Sequence, residues 1–304
     1  MIKSEIFNRY TEYAEKTRTE FAGYDDVRDS GFVIPGCVKA FRDIRYGNDE
    51  KNNLLDIYCP ADICLQNKTI VSVHGGAYVY GDKERYRFYC ADLAARGFTV
   101  VNFSYRLAPE TAYPGALEDV NSVFRFIEKH GREYFIDAEK LFIVGDSAGA
   151  QIASQYAAMI TNSSYGGLFG LELPEIRIRG CGFNCGMYDM KRIMSGEHSE
   201  MFDVYIQGRE EEFREQLDVM SSITPDYPPS FIMTAYYDFL RDEAPQLADR
   251  LSELGVKNIC KLYGTAEQNY MAHVFHLNIV LDEAIRCNDE ECRFFDEILS
   301  IDKF

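Results

Sequence analysis

The chain has 304 residues, 46% of them hydrophobic, with 21 Phe, 21 Tyr and no Trp, so a sizeable core can be buried and compositional disorder is excluded. Its formal net charge of −17 serves solubility, argues against nucleic-acid and anionic-lipid partners, and accompanies a sequence with no apolar run of 18 residues for a membrane span. Nine scattered cysteines, odd in number and without C-x-x-C spacing, argue against a disulfide framework or zinc ribbon, and most read as buried free thiols. With no apolar signal core near Met1, the expected location is cytoplasmic.

Residues 1 to about 22 place Ile2, Ile6, Tyr10, Tyr13, Ala14 and Phe21 at helical spacing. From Val38 the pattern changes to strands at Phe41–Tyr46 and Leu54–Tyr58, joined by the turn-rich Gly47-Asn48-Asp49. A regular rhythm follows: strand Ile70–Val73, helix Glu84–Ala95, strand Phe98–Phe103, helix Ala116–Lys129, strand Leu141–Val144, helix Ala148–Ile160. Gly97 and Gly131 are expected to close the first two of these helices. Continuous apolar strands alternating with helices predict a mostly parallel sheet covered on both faces, an α/β fold. Between about Met187 and Ser222 the rhythm gives way to a Glu-rich stretch with Phe202, Tyr205, Phe213 and Leu217 at helical spacing, which reads as an insertion. Pro225, Pro228 and Pro229 mark the return to Phe231–Thr234, Glu243–Leu254, Asn258–Tyr263 and a final helix near Asp289–Ile298.

Gly145-Asp146-Ser147-Ala148-Gly149 lies between a strand and a helix, the context of a nucleophile elbow. A bare G-x-S-x-G also fits a βα turn with a serine N-cap. Two further segments weigh against that bland reading. His74-Gly75-Gly76-Ala77 follows a strand and suits a loop whose backbone N–H groups hold an oxyanion. Asp238 lies just past the strand Phe231–Thr234, and His273 comes later, giving the chain order Ser, Asp, His. Asp242 is a rival acid, better suited to a helix N-terminus or an ion pair with Arg241, and His276 is a rival base. His74 reads as a support of its loop, His130 as a helix cap, and His198 as part of the insertion. His273 and His276 at i, i+3 lack an accompanying carboxylate cluster, so no metal is expected, nor any other cofactor.

These motifs, with Tyr78-Val79-Tyr80-Gly81, Tyr105-Arg106-Leu107-Ala108-Pro109-Glu110 and Asp238-Phe239-Leu240-Arg241-Asp242-Glu243, resemble the hormone-sensitive-lipase-like branch of the α/β-hydrolases from about residue 38 to the end. The resemblance implies an α/β-hydrolase fold with an eight-stranded sheet and a helical cap. The cap would comprise residues 1–36 and an insertion at about 187–222 within a hydrolase domain of 37–304. It implies Ser147 as nucleophile, His273 as base on the strength of its His-x-Phe match, Asp238 as acid, and the N–H groups of Gly75, Gly76 and Ala148 as the oxyanion hole. The stretch Gly264–Ala272 is longer than the family pattern and is expected beside the site.

The leading expectation is a serine carboxylesterase acting on a small, uncharged, short-acyl ester such as an acetyl ester. A peptidase or acyltransferase with the same triad, and a non-catalytic ligand-binding protein of the same fold, are the alternatives. Oligomeric state, a homodimer included, is left open by the sequence.

Overall fold

The computed structural model describes residues 2–191 and 199–301, so His198 and the middle of the expected insertion lie outside it. Eight strands form one sheet: β1 (Val38–Arg45), β2 (Leu54–Pro60), β3 (Asn67–Val73), β4 (Thr99–Phe103), β5 (Ile136–Asp146), β6 (Ile178–Asn184), β7 (Ser230–Ala235) and β8 (Asn258–Tyr263). Their order is β1-β2-β4-β3-β5-β6-β7-β8. Only β2 runs against the others; every pair from β4 to β8 is parallel.

The helices are α1 (Ile2–Arg28), α2 (Arg87–Ala95), α3 (Gly115–His130), α4 (Ala148–Thr161), α5 (Ser163–Gly167), α6 (Ser199–Ile206), α7 (Val219–Ser222), α8 (Glu243–Glu253) and α9 (Asp282–Ile301). β4 and β7 are buried at every position, as strands covered on both faces must be. Alternation divides the core between the faces. Val71 and Ile143 join Leu117, Val120 and Phe124 of α3 and Ile152 and Tyr156 of α4. Ile70 and Phe142 join Leu93 of α2 and Phe294, Phe295 and Ile298 of α9.

The alternating rhythm correctly anticipates the α/β architecture, and the differences have local causes. β6 carries glycines at Gly180 and Gly182, which dilute its apolar signal. At Gly182 a Cβ would strike the Glu291 carboxylate, so glycine is required by a helix 109 positions away (291 − 182). Gly97 adopts the left-handed conformation expected after α2. Gly131 closes α3 as expected but does so right-handed, at φ −56, and the chain continues into the 3-10 turn Gly131–Tyr134. Helix α9 begins at Asp282 rather than near Asp289.

The N-terminal helix is docked on the body by several contacts, of which Arg18 makes the most. Arg18 donates to the carbonyls of Val79 (2.8 Å) and Ala108 (3.0 Å) and forms a two-pronged pair with Glu110 (2.7 and 2.9 Å). Asp25 accepts from Tyr80 Oη at 2.8 Å, and Phe21 packs edge-on to the Tyr80 ring. From the other side of the chain, Tyr205 of α6 stacks on Tyr78 with ring centres 3.9 Å apart.

Candidate active site

At the C-terminal end of β5 the chain turns abruptly into α4, and Ser147 sits on that turn with φ 52 and ψ −121. For a residue with a side chain this conformation is strained, at a cost of about 1–3 kcal/mol, and the surroundings must hold it. They do so by close backbone approach. A Cβ at Gly145 would run into the Gly149 carbonyl, and one at Gly149 into the carbonyls of Val73 and His74, so both flanking glycines are sterically required. The Ser147 N–H donates to the Asn184 carbonyl of β6 at 3.0 Å. Ser147 thus stands at the N-cap position of α4, past the end of a central strand, with its Oγ free of any capping bond.

Asp238 follows β7, and His273 follows β8 after the long loop. A parallel bridge between Tyr237 and Ala272, with the Tyr237 N–H donating to the Met271 carbonyl (2.9 Å), joins the two segments one residue before each. His273 Nδ1 lies 2.8 Å from Asp238 Oδ1, and His273 Nε2 lies 2.9 Å from Ser147 Oγ. Asp238 also accepts from Thr234 Oγ1 (3.0 Å) and from the Leu240 N–H (2.9 Å). Burial alone would push its carboxyl up, but the hydrogen bond and charge of His273 outweigh this and hold it below its ordinary value. The acid therefore stays ionised and orients the imidazole. Phe239 packs on the His273 ring with centres 4.4 Å apart. Cys185, after β6, has its sulfur within 4.8 Å of Asp238 and His273, and burial pushes its thiol well up, so it remains a neutral S–H facing the acid.

The rival residues lie elsewhere. His276 is wholly buried edge-on to Tyr89, and burial depresses its ring to about 3, so it is neutral and out of reach of Ser147. Asp242 precedes α8 and faces Arg241 at 3.6 Å, as its sequence position suggests. His74 stacks on Tyr105 (4.0 Å, 11° between planes) and lies 2.8 Å from the Gly75 carbonyl, beneath its own loop. His130 pairs with Glu133 at the end of α3.

One expectation is corrected. The Gly75 N–H does not face the site: it donates to Tyr86 Oη at 2.9 Å, while that hydroxyl donates to Asp146 Oδ2 at 2.8 Å. Asp146 is enclosed, and burial raises its carboxyl to about 6. Gly75 is needed for space, since a Cβ there would strike Asp146. The next residues turn left-handed, Gly76 at φ 117 and Ala77 at φ 53. Among the described residues, no protein acceptor meets the N–H of Gly76, Ala77 or Ala148. The sequence could not identify Tyr86 or Asn184 as parts of this assembly, because neither belongs to a motif; Tyr86 is brought in just before α2 and Asn184 at the end of the neighbouring strand β6.

Sheet order, elbow and the Ser147–His273–Asp238 arrangement define the α/β-hydrolase class. A family profile described as "alpha/beta hydrolase fold" matches residues 70–277, and the chain belongs to that family. Among curated relatives, esterase LipI of Mycobacterium tuberculosis is 29% identical over 201 residues, covering 62% of this chain and 60% of LipI. The chain thus spans less than two thirds of LipI's length. An acetyl esterase of Salmonella paratyphi B is 28% identical over 244 residues, 75% of this chain and 71% of that protein. In structure, esterase B of Lactobacillus rhamnosis superposes with a TM-score of 0.89 at 23% identity, covering 98% of this chain and 96% of that one, and shares the fold.

Proposed function

We propose that this protein is a serine carboxylesterase that hydrolyses small esters with short acyl groups. The observation that carries the reading is the continuous hydrogen-bonded line from Ser147 Oγ through His273 to the ionised Asp238. His273 Nε2 takes the hydroxyl proton as Oγ attacks the ester carbonyl, and Asp238 stabilises the imidazolium at Nδ1. The N–H groups of Gly76, Ala77 and Ala148 receive the charge on the carbonyl oxygen. The tetrahedral adduct collapses, the C–O bond breaks, and the alcohol leaves with the proton from Nε2. Water, activated by the same imidazole, then cleaves the acyl-enzyme to carboxylate and free Ser147.

Similarity to an acetyl esterase supports an acetyl-type acyl group. The docking of α1 by Arg18 and the Tyr205–Tyr78 stack support residues 1–36 and the 187–222 insertion acting as a cap over the oxyanion loop. A cap narrows the acyl site and favours compact, uncharged substrates.

The test is hydrolysis of p-nitrophenyl esters from acetyl to dodecanoyl, with Ser147→Ala and His273→Ala in parallel. Short chains should be cleaved fastest, and each variant should lose roughly 10⁴-fold or more in kcat. Absence of turnover by the unaltered protein, or a preference for long chains, would reject the reading. Acyl transfer to an added alcohol in preference to water would reassign it as an acyltransferase.

A further inference from the structure

Glu291 is a buried carboxylate that the hydrolytic chemistry does not use, and its position is unusual. It projects from α9 onto the sheet, in the space left by Gly182, with 1% of its surface exposed. No ion pair accompanies it among the described residues; the nearby Arg96 is engaged by Asp92 (2.5 Å) and Asp289 (2.8 Å). Burying an acid without a cation is costly and calls for a local reason.

Its hydrogen-bond partner supplies one. Asn184 Nδ2 donates to Glu291 Oε1 at 3.1 Å. Asn184 is the last residue of β6, and its backbone carbonyl is the acceptor of the strained Ser147 N–H at 3.0 Å. The two ends of Asn184 therefore join the C-terminal helix to the nucleophile elbow. Immediately beyond it, Cys185 turns left-handed at φ 52 and its N–H donates to the Met233 carbonyl of β7 at 2.8 Å, so the Asn184–Cys185 peptide is held by that last ladder bond on one side and by the Asn184 side chain on the other.

We infer that Glu291 is a positioning residue for Ser147: it clamps the Asn184 side chain, and the clamped Asn184 carbonyl keeps the serine backbone in the conformation that aims Oγ at His273. This rests on the esterase reading. The carboxylate touches no reacting atom, so its removal should affect the chemical step and leave substrate binding alone. Glutamine keeps an oxygen acceptor of the same reach and should restore the clamp.

The test compares Glu291→Ala, Glu291→Gln, Asn184→Ala and the Glu291→Ala/Asn184→Ala pair, with p-nitrophenyl acetate as substrate and Ile298→Ala, elsewhere on α9, as a packing control. Glu291→Ala and Asn184→Ala should each lower kcat about tenfold with KM unchanged, since a small misplacement of a reacting group costs rate rather than affinity. Glu291→Gln should recover kcat to within about twofold, and the pair should be no slower than either single change, because both break one link. Additive losses in the pair, a Glu291→Gln as slow as Glu291→Ala, or an equal kcat loss in Ile298→Ala would each overturn the inference. If the alanine variants do not fold, Glu291→Gln and Asn184→Asp decide it: the clamp predicts near-normal kcat in the first, and in the second a slow enzyme because two carboxyl groups then face each other. An unaltered protein that fails to hydrolyse the ester speaks against the esterase reading, whereas an active enzyme indifferent to these substitutions speaks against the clamp alone.

Discussion

At the residue scale the site depends on groups that keep others in place. Tyr86 is the clearest: its hydroxyl accepts from Gly75 N–H and donates to Asp146, linking the His74–Ala77 loop to the elbow. Tyr86→Phe leaves a buried N–H and a buried carboxyl unpaired, which costs roughly 1–3 kcal/mol for each group. The expected result is a lower Tm and a several-fold lower kcat; an unchanged melting curve would show the link to be dispensable. Glu291 has a linkage consequence of its own. Burial raises its carboxyl from 4.5 to about 7, so the folded state holds a proton that the unfolded state releases at lower pH. The stability of the native state is therefore undiminished below about pH 4.5 and declines as pH rises toward 7 on account of this group. Glu291→Gln, which cannot ionise, should melt at a higher temperature than the parent at pH 8 and at nearly the same temperature at pH 4.5. An equal difference at both pH values would place its effect in packing. Ser147 and Asp238 were legible as candidates in the sequence because each lies in a motif at a strand end, and His273 because of the His-x-Phe match that the family resemblance supplies. Tyr86, Asn184 and Glu291 were not, because the partners of each lie far away in the chain and no local pattern encodes them.

At the element scale Arg18 ties the N-terminal helix to the segments around Val79 and Ala108. Its guanidinium reaches two carbonyls and a carboxylate at once, which the single ammonium of lysine cannot reproduce. Arg18→Ala should loosen α1, raise KM for p-nitrophenyl esters, and expose the first 28 residues to limited proteolysis; Arg18→Lys should not restore either. Tight KM and an unaltered digestion pattern would show that α1 holds by its apolar face alone. That face was readable as a helical stripe, but the arginine's role was not, since Val79 and Ala108 contribute backbone oxygens that have no sequence signature. Strand β6 was similarly hidden: Gly180 and Gly182 look like breakers, and only the packing of α9 explains the second of them.

For the whole molecule, a net charge of −17 means that folding concentrates negative charge against itself. Raising salt from about 10 to about 150 mM shortens the screening length from about 30 to about 8 Å, so Tm should rise. A falling Tm would mean that exposed ion pairs such as Arg45–Glu50 outweigh the general repulsion. By itself the sequence determined the α/β order of elements and the elbow, because hydrophobic period and strained turns are local properties that neighbouring residues must satisfy. The tertiary structure alone decided which distant groups meet, turning the Gly75 N–H onto the Tyr86 hydroxyl and bringing the Asn184 carbonyl to the Ser147 N–H. Those assignments depend on which side chains meet across strands and helices, and that is settled by packing in three dimensions.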